Sequence, residues 1–349
     1  NDSGILTQVD GVDEGADVAY AVSGGRAVTG AFGTERLVIV AYGARGLSTY
    51  NVDDAGNLGT EIDNDDVGLG SVYYDVWDRG DFIFVAMGAL RGSYTVDASG
   101  ALTRISPQLL SIGAAQGIWG DDTFVYTAEG ASGLACLSVD GSGALTDVDV
   151  DVQAGGTYYD VWADNDYIYV ASDIGLLLYS SDADGNLTFL DRYDNGTTYN
   201  NVTSDGRFIY PGGSGGIAAY RVTPGAKLEL VDDTADIGLD QQLSGEFFFP
   251  VSSTGSGVLS YQADNDGNLT LVDTDTPSVG DNTYGTWVFN RVNRTFNRAK
   301  FGLWSYRALT RGDNQGVSLT ISELDDAAHY VTAYMRGNIP TQDWSLDDT

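Results

Sequence analysis

A leucine that follows a glycine-containing turn recurs along this sequence at nearly constant spacing. Five successive steps between these leucines are 44, 43, 42, 41 and 41 residues long, and the sixth is 50. A period of about 40 to 45 residues is typical of a four-stranded sheet that must stack against similar neighbours to bury its faces. The leucines are Leu58, Leu102, Leu145, Leu187, Leu228, Leu269 and Leu319.

Each repeat contains further strand signals. They are clearest from Tyr158 to Asp191, where runs of aromatic and branched residues alternate with polar turns, the last of them an Asp-Gly corner. Second strands are predicted at Leu37–Ala41, Phe82–Ala86, Phe124–Ala128, Tyr167–Ala171, Phe208–Pro211, Phe247–Val251 and Thr295–Lys300. Third strands open on Gly46, Gly92, Gly133, Gly175, Gly216, Gly257 and Gly302.

Seven second strands and seven third strands predict an all-β fold, a seven-bladed β-propeller of four-stranded antiparallel blades over residues 1–321. Residues 4–7 resemble another fourth strand, which we expect to close the ring on the last blade. An eighth blade completed by the C-terminal tail is the alternative. Residues 17–25 fit neither the repeat nor the closure. Residues 322–349 form a separate segment, in which Ser322 caps a predicted helix that ends before Gly337 and an acidic tail follows.

The charge is strongly one-sided. Fifty acidic residues outnumber 17 basic ones, which gives a net charge of −33 and a pI near 4.1. A nucleic acid is excluded as a partner, because phosphate backbones are bound by Lys and Arg. Molar salt reduces self-repulsion, so the composition indicates an acidic protein of a halophilic, archaeal type of organism. No apolar run is long enough to span a membrane.

Candidate catalytic residues are few. His329 lies in the predicted C-terminal helix without a nucleophile beside it, and Cys136 lies among apolar residues of a third strand. The run from Gly212 to Gly216 matches G-x-S-x-G, but it links two predicted strands rather than a strand and a helix. The sequence therefore predicts no catalytic residue and no cofactor.

Aromatic and acidic residues recur in the first strands, which line the channel of a propeller. A ring of these side chains at one mouth would stack a sugar or hold a cation, and the alternative is packing between blades. The ligand-binding candidates are Trp77, Trp119, Trp162, Trp287, Asp75 and Asp160.

Two Asp-x-Asp-Gly corners resemble calcium loops, and an acidic residue follows six positions after each Gly. Asp-Gly is also a frequent hairpin turn, so no metal site is predicted and these residues stay weak candidates. They are Asp182, Asp184, Asp264 and Asp266.

Asn-x-Ser/Thr sequons allow an extracellular glycoprotein. The candidate acceptors are Asn186, Asn195, Asn201, Asn268 and Asn293.

One stretch departs from the acidic composition. Between residues 291 and 311 there are six basic residues and no acidic one. Such a surface would dock an acidic protein surface, another copy of the chain or a cell-surface glycan, or it would neutralise adjacent blades. The residues are Arg291, Arg294, Arg298, Lys300, Arg307 and Arg311.

Residues Tyr179–Thr188 and Tyr261–Thr270 share the run Tyr-x-x-Asp-x-Asp-Gly-Asn-Leu-Thr. This run resembles the repeat of the seven-bladed lactonase-like propeller family. The runs Tyr167–Ala171 and Phe82–Ala86 resemble the second strand of its relatives with LVIVD-type repeats. The resemblance covers roughly residues 28–320. It implies a propeller and, for enzymes of the family, action on sugar lactones or formation of lactones from muconates with His, Arg and Glu in the channel.

The sequence is compatible with three functions. The scarcity of histidine, the missing nucleophile motif and the basic stretch favour a non-enzymatic extracellular binding or attachment propeller of a halophile, on a cell surface or as a receptor-binding or decoration protein of a virion. A lactonase-like hydrolase acting on a sugar lactone is the first alternative. A purely structural scaffold subunit is the second.

Overall fold

A computed structural model describes residues 20–30, 33–52, 58–68, 71–121, 123–164, 166–236, 238, 241–244, 247–252, 257–275, 310–311 and 317–318. The chain clusters into two compact units, Asn1–Asn297 and Arg298–Thr349. The described part of the first unit consists of strands and turns. The described part of the second unit is one antiparallel pair, Thr310–Arg311 with Val317–Ser318.

Six antiparallel sheets, here called blades 1 to 6, follow one another in the first unit, and each takes its strands in chain order from one edge to the other. Blade 1 contains Ala21–Gly30, Gly33–Tyr42, Gly46–Val52 and Leu58–Asp65. Blade 2 contains Asp75–Asp78, Ile83–Val96 and Leu102–Ala115. Blade 3 contains Gly117–Gly120, Phe124–Ala128, Leu134–Val139 and Leu145–Asp151. Blade 4 contains Tyr158–Ala163, Ile168–Ser172, Gly175–Ser181 and Leu187–Tyr193. Blade 5 contains Tyr199–Ser204, Ile209–Gly213, Gly216–Val222 and Leu228–Thr234. Blade 6 contains Gln241–Ser244, Phe247–Ser252, Gly257–Ala263 and Leu269–Asp275.

Blade 2 differs from the other blades in its middle. The strand Ile83–Val96 occupies the positions of both the second and the third strand. Its first half pairs with Asp75–Asp78, and its second half pairs with Leu102–Ala115. Gly88 lies between the halves with a φ of 60°, a conformation that glycine adopts without steric cost.

The glycine at the start of a third strand is required by its surroundings. Gly46, Gly175 and Gly216 have φ values of 105°, 102° and 126°. A Cβ atom at these positions would lie 2.4, 2.1 and 1.9 Å from a carbonyl oxygen of the adjoining fourth strand or its end. The repeated glycine therefore reports a close approach of two backbones, which explains why it recurs in the sequence.

The hydrophobic core lies between successive sheets. One cluster packs Trp77 and Phe84 of blade 2 against Ile118 and Val125 of blade 3. Similar clusters fill the spaces between blades 1 and 2, 3 and 4, 4 and 5, and 5 and 6. The first strands of neighbouring blades also lie closer together than the fourth strands do, so the sheets fan out from a common inner wall. This is the arrangement of propeller blades.

Acidic side chains connect the outer strands of successive blades. In each case one carboxylate oxygen accepts a hydrogen bond of 2.8 Å from the backbone N–H of the leucine that begins the next fourth strand. The four pairs are Asp63 with Leu102, Asp149 with Leu187, Asp191 with Leu228, and Asp232 with Leu269. Much of the acidity of the fourth strands is thus used to join blades.

The all-β propeller predicted from the repeat is confirmed. Each of the six leucines that fall in described residues begins a fourth strand. Residues 17–25, which the repeat did not place, contribute in part to the first strand of blade 1, Ala21–Gly30. Among the described residues no helix is long and apolar enough to cross a bilayer. The predicted closing strand at residues 4–7, the seventh blade's second strand at 295–300 and the helix with His329 lie outside the described residues.

Candidate functional site

The first strands of blades 4 and 5 carry a β-bulge at one end, and the bulged residues form the candidate site together with their counterparts in blades 2 and 3. In blade 4, Tyr158 pairs with Ser172 and Asp160 pairs with Ala171, so Tyr159 is the extra residue. Asn200 has the same place in blade 5. In blade 2 the backbone N–H of Tyr74 donates to the carbonyl of Ala86, which is also the pairing partner of Asp75. In blade 3 the N–H of Gln116 donates in the same way to the carbonyl of Ala128, the pairing partner of Gly117.

Bulges re-aim side chains and occur often beside active sites. The two bulged residues and their counterparts in blades 2 and 3 are half-buried, whereas the residue before each of the four is fully buried or nearly so. We call them the inner ring, because they belong to the strands that form the common inner wall: Tyr74, Gln116, Tyr159 and Asn200.

The inner ring offers neutral hydrogen-bonding groups. Burial raises the pKa of the Tyr159 phenol, and the nearby Asp173 carboxylate raises it further. This hydroxyl therefore stays protonated at neutral pH and remains able to donate a hydrogen bond. The Gln116 amide lies beside Gly130, whose backbone bridges to Tyr158 of the next blade. Two phenols and two carboxamides suit the hydroxyl groups of a sugar.

The two acidic residues predicted to bind a ligand lie next to the inner ring, and both join blades. One oxygen of Asp75 accepts from the backbone N–H of Ile118 at 2.7 Å. One oxygen of Asp160 accepts from the N–H of Val202 at 2.8 Å. Their other oxygens accept from the N–H of the following residue. Their role in ligand binding stays a prediction, and the observed role of these bonds is to connect first strands.

The predicted tryptophans come together, at the opposite end of the first strands from the inner ring. The rings of Trp77 and Trp119 are 5.6 Å apart, and those of Trp119 and Trp162 are 6.1 Å apart and stacked. The indole N–H of Trp119 donates to the carbonyl of Ala163 at 3.1 Å. The three rings therefore form a ladder across blades 2, 3 and 4, which corresponds to the packing alternative. Trp287 lies outside the described residues.

A buried charged cluster joins blades 2 and 3, and sequence reasoning missed it. Arg91 and Glu129 are both 0% exposed, with Nε and Oε1 3.4 Å apart. Arg91 also donates to Asp147 at 2.7 Å and to the carbonyl of Leu110 at 2.6 Å, while Glu129 accepts from Thr127 at 2.7 Å. Buried charges need such partners. A basic residue inside a run of strand residues was the only signal.

Most of the described Arg and Lys side chains form an ion pair with a carboxylate. Seven of them have an ion pair between 2.6 and 3.0 Å, namely Arg45, Arg79, Arg91, Arg104, Arg207, Arg221 and Lys227. Arg192 is different, since its contact with Asp194 is 3.7 Å long.

The Asp-Gly corners form tight turns. Asp182 and Asp264 each accept hydrogen bonds from backbone and side-chain groups of their own corner, including the amides of Asn186 and Asn268. These bonds lower the pKa of both carboxyls. Within the described residues no group of three acidic, histidine or cysteine side chains is arranged to hold a metal ion.

Three of the candidate glycosylation sites are exposed, and one is not. Asn186, Asn195 and Asn268 lie at the surface. Asn201 is 5% exposed, and its side-chain nitrogen donates to the carbonyl of Gly238 at 3.0 Å. A glycan on that nitrogen does not fit the folded blade. Asn293 lies outside the described residues.

Cys136 is buried, and burial raises the pKa of its thiol to about 12. It is therefore not a reactive thiolate at neutral pH. The basic stretch of residues 291–311 lies outside the described residues except for the strand Thr310–Arg311, so its docking role stays a prediction.

The sheets and their common inner wall define a β-propeller, and its fold resembles that of lactonase-like propellers. The periplasmic gluconolactonase of Pseudomonas aeruginosa aligns with a TM-score of 0.58 at 17% identity, over 67% of this chain and 79% of that one. A Bacteroides fragilis protein designated a candidate 6-phosphogluconolactonase aligns with a TM-score of 0.59 at 16% identity, over 67% and 78% of the two chains. A similarly designated Bacteroides uniformis protein gives 0.58 at 13% identity, over 72% and 83%. No protein-family profile and no curated protein matches the sequence.

These neighbours correct the function predicted from the sequence. A non-enzymatic attachment protein was favoured because the chain has one histidine and no nucleophile motif. Of the neighbours reported above, one is a gluconolactonase and two are designated candidate 6-phosphogluconolactonases, and they favour the hydrolase alternative. The resemblance to lactonase-like propellers seen in the repeats is confirmed at the level of the fold.

Proposed function

We propose that this protein is a lactonase-like hydrolase that opens a sugar lactone. The observation that carries the proposal is the propeller shared with a gluconolactonase over two thirds of the chain. The inner ring supports it, because half-buried phenols and carboxamides on four successive blades supply the neutral donors and acceptors that sugar hydroxyls require. Site assignment rests on the residues themselves, since a shared fold alone does not fix a function.

We infer that the substrate is an uncharged sugar lactone rather than a phosphorylated one. A phosphate group is held by Arg, Lys or clustered backbone N–H groups. Seven described cations are already paired with carboxylates within 3.0 Å, and the inner ring contains no cation. The net charge of −33 also repels an anionic substrate at low ionic strength.

The inner ring contributes to lactone hydrolysis by donating a hydrogen bond to the substrate. Water adds to the acyl carbon of the lactone, the ring C–O bond breaks, and the ring oxygen takes a proton to give an open-chain hydroxy acid. The protonated Tyr159 hydroxyl is suited to donate to the lactone carbonyl, on which negative charge develops. The Asp160 carboxylate adjoins it in the sequence, and its oxygens accept from the backbone N–H groups of Val161 and Val202, which holds this part of the first strand in place.

We also infer a location outside the cytoplasm and a salty medium. One neighbour is a periplasmic gluconolactonase. An acidic surface with few lysines remains soluble at high ionic strength, where the repulsion among 50 carboxylates is screened.

The test is an assay of glucono-δ-lactone hydrolysis in low salt and in molar salt, in which the release of protons is measured over time. The intact chain should exceed the uncatalysed rate and should prefer this substrate to 6-phosphogluconolactone. Tyr159→Phe should lower kcat/KM about 100-fold if the hydroxyl donates to the developing oxyanion. Tyr167→Phe is the matched control, because Tyr167 lies outside the inner ring and packs against Tyr169.

The proposal would be refuted if the protein hydrolysed neither glucono-δ-lactone nor 6-phosphogluconolactone faster than the uncatalysed rate. Equal rates for the Tyr159→Phe and Tyr167→Phe proteins would refute the role of the inner ring. Retained thermal unfolding midpoints would show that both variants are folded.

A further inference from the structure

A polar cavity that is open to solvent lies at the outer rim of the cleft between blades 3 and 4. Its volume is about 450 Å³, within the range of small-molecule sites, and it is lined by Gln153, Ala154, Phe189, Asp191 and Arg192. The last three belong to the fourth strand of blade 4, whereas the inner ring belongs to first strands. Three strand spacings separate them, which is roughly 14 Å.

The aromatic wall of this cavity is exposed yet fixed. Phe189 is 36% exposed. Its edge packs against the buried ring of Tyr179, with centroids 5.4 Å apart and planes at 70°. The Tyr179 hydroxyl is held in turn by that of Tyr158 at 2.7 Å. A fixed aromatic face that is open to solvent can stack on the C–H face of a pyranose ring.

The polar wall contains Arg192. Among the described cations that form an ion pair with a carboxylate, Arg192 has the longest ion-pair distance. Arg192 contacts Asp194 at 3.7 Å, which is longer than a hydrogen bond. Its guanidinium fork can therefore form a bidentate pair with a carboxylate from a ligand. The Gln153 side chain is held in place by donating to Asp151 at 2.7 Å, and its carbonyl oxygen remains an acceptor for a hydroxyl group.

Asp191 does not compete for such a ligand. One of its oxygens accepts from Leu228 N–H and the other from the Lys227 ammonium, at 2.8 and 3.0 Å. The hydrogen bonds from these two groups outweigh burial and lower the pKa of the carboxyl.

The combination occurs once among the described blades. At the positions of Phe189 and Arg192, counted from the leucine that begins the strand, blade 5 has Leu230 and Asp233, and blade 6 has Leu271 and Thr274. These two positions vary from blade to blade, and among the described blades only blade 4 combines an aromatic ring with an arginine there. We propose that this cavity, here called the rim site, binds a sugar acid, a pyranose or open-chain sugar that carries one carboxylate. Phe189 packs on its carbon face, Arg192 pairs with the carboxylate, and Gln153 accepts from a hydroxyl. The inference does not depend on the lactonase proposal.

The experiment is a titration of the full-length protein with D-glucuronate, D-gluconate and D-glucose in molar salt, followed by calorimetry or by NMR of the ligand. Glucuronate should bind more tightly than glucose. Arg192→Gln should weaken glucuronate binding on the order of tenfold or more, the loss of one charge-assisted pair, and should leave the weaker glucose binding unchanged. Phe189→Ala should weaken both. Leu271→Ala, at the corresponding position of blade 6 and 47% exposed, is the matched control.

Absence of glucuronate and gluconate binding by the intact protein would overturn the rim site. So would binding that is unchanged in both rim variants, or that is lost in Tyr159→Phe, because the inner ring would then hold the ligand. Lactone hydrolysis, measured on the same proteins, should be unchanged by Phe189→Ala, so a failed lactonase proposal and a failed rim site give different results. Coincident thermal unfolding curves for the variants would show that a loss of binding is not a loss of fold.

Discussion

Replacing Asp160 by alanine should destabilise the propeller, chiefly through the loss of a hydrogen bond between two blades. The Asp160 carboxylate accepts from the N–H of Val202 in the next blade at 2.8 Å, and Val202 is buried. Alanine would leave this N–H without its partner, and water has little access to replace it. A buried donor left unpaired costs about 1 to 3 kcal/mol, and hydrogen bonds to a charged group lie in the upper part of that range.

The expected loss of unfolding free energy is therefore about 2 kcal/mol, which corresponds to about 3 °C in the thermal midpoint of a unit as long as Asn1–Asn297. Asp160→Asn should lose less, because the amide carbonyl can still accept one N–H bond but carries no charge. The assay is thermal unfolding by circular dichroism at pH 7 and fixed ionic strength.

The control for this change is Asp184→Ala. It removes the same charge from an exposed side chain, for which the described residues include no hydrogen bond to a neighbouring blade. A midpoint for Asp160→Ala within 1 °C of the control would refute the reasoning, since loss of charge alone would then account for the effect.

Three further changes follow from the same contacts. Gly117→Ala should lower the thermal midpoint by several degrees, because a Cβ atom there would lie 2.6 Å from the Cα of Asp160, and an unchanged midpoint would contradict that packing. The lowered pKa of Asp191 gives a contribution to stability that is complete above the ordinary carboxyl value of 3.8 and is lost as the pH falls through the lower folded value. Asp191→Asn should therefore flatten the acid limb of a stability-against-pH curve, which urea titrations between pH 2 and 6 would measure; an unchanged limb would exclude the effect. Finally, the melting midpoint should rise between low and molar sodium chloride, because the net charge is −33, and equal midpoints would remove the halophile interpretation.

The repeat predicted the blades well because the same physical requirement recurs in each of them. A leucine must begin each fourth strand, and its backbone N–H bonds to an acidic residue of the preceding blade at four of the junctions. A glycine must begin a third strand where the adjoining carbonyl leaves no room for a Cβ atom, as at Gly175. Constraints that repeat along the chain are visible as a period.

The first strand of blade 1 was missed for a related reason. Ala21–Gly30 has two glycines in its middle, and its pairing with the second strand is irregular between Gly24 and Ala27. Such a segment has neither the alternation nor the aromatic residues that identify first strands elsewhere. Its place depends on the neighbouring strand rather than on its own residues.

The candidate site was harder to predict, because its residue types do not distinguish it from the rest of the sequence. The tryptophans are conspicuous in the sequence, yet their rings stack on one another between blades. The inner ring consists of ordinary Tyr, Gln and Asn residues that become notable only when a bulge places them outside the strand pairing. Bulges arise from a mismatch in pairing between two strands, which a single strand's sequence does not report.

A repeat protein offers one further way to separate function from architecture. Residues that build a blade recur at the same place in several repeats, as Tyr158 and Tyr199 do with their hydroxyl partners 21 residues later. Residues that occur in only one blade do not meet a packing requirement that the blades share. Phe189 and Arg192 fall in the second group, and so does Arg91, but they differ in surroundings: Arg91 is fully enclosed by its own partners, whereas Arg192 borders a cavity with a long ion pair. Departure from the repeat therefore selects candidates, and the state of their hydrogen bonds decides which of them can still accept a ligand.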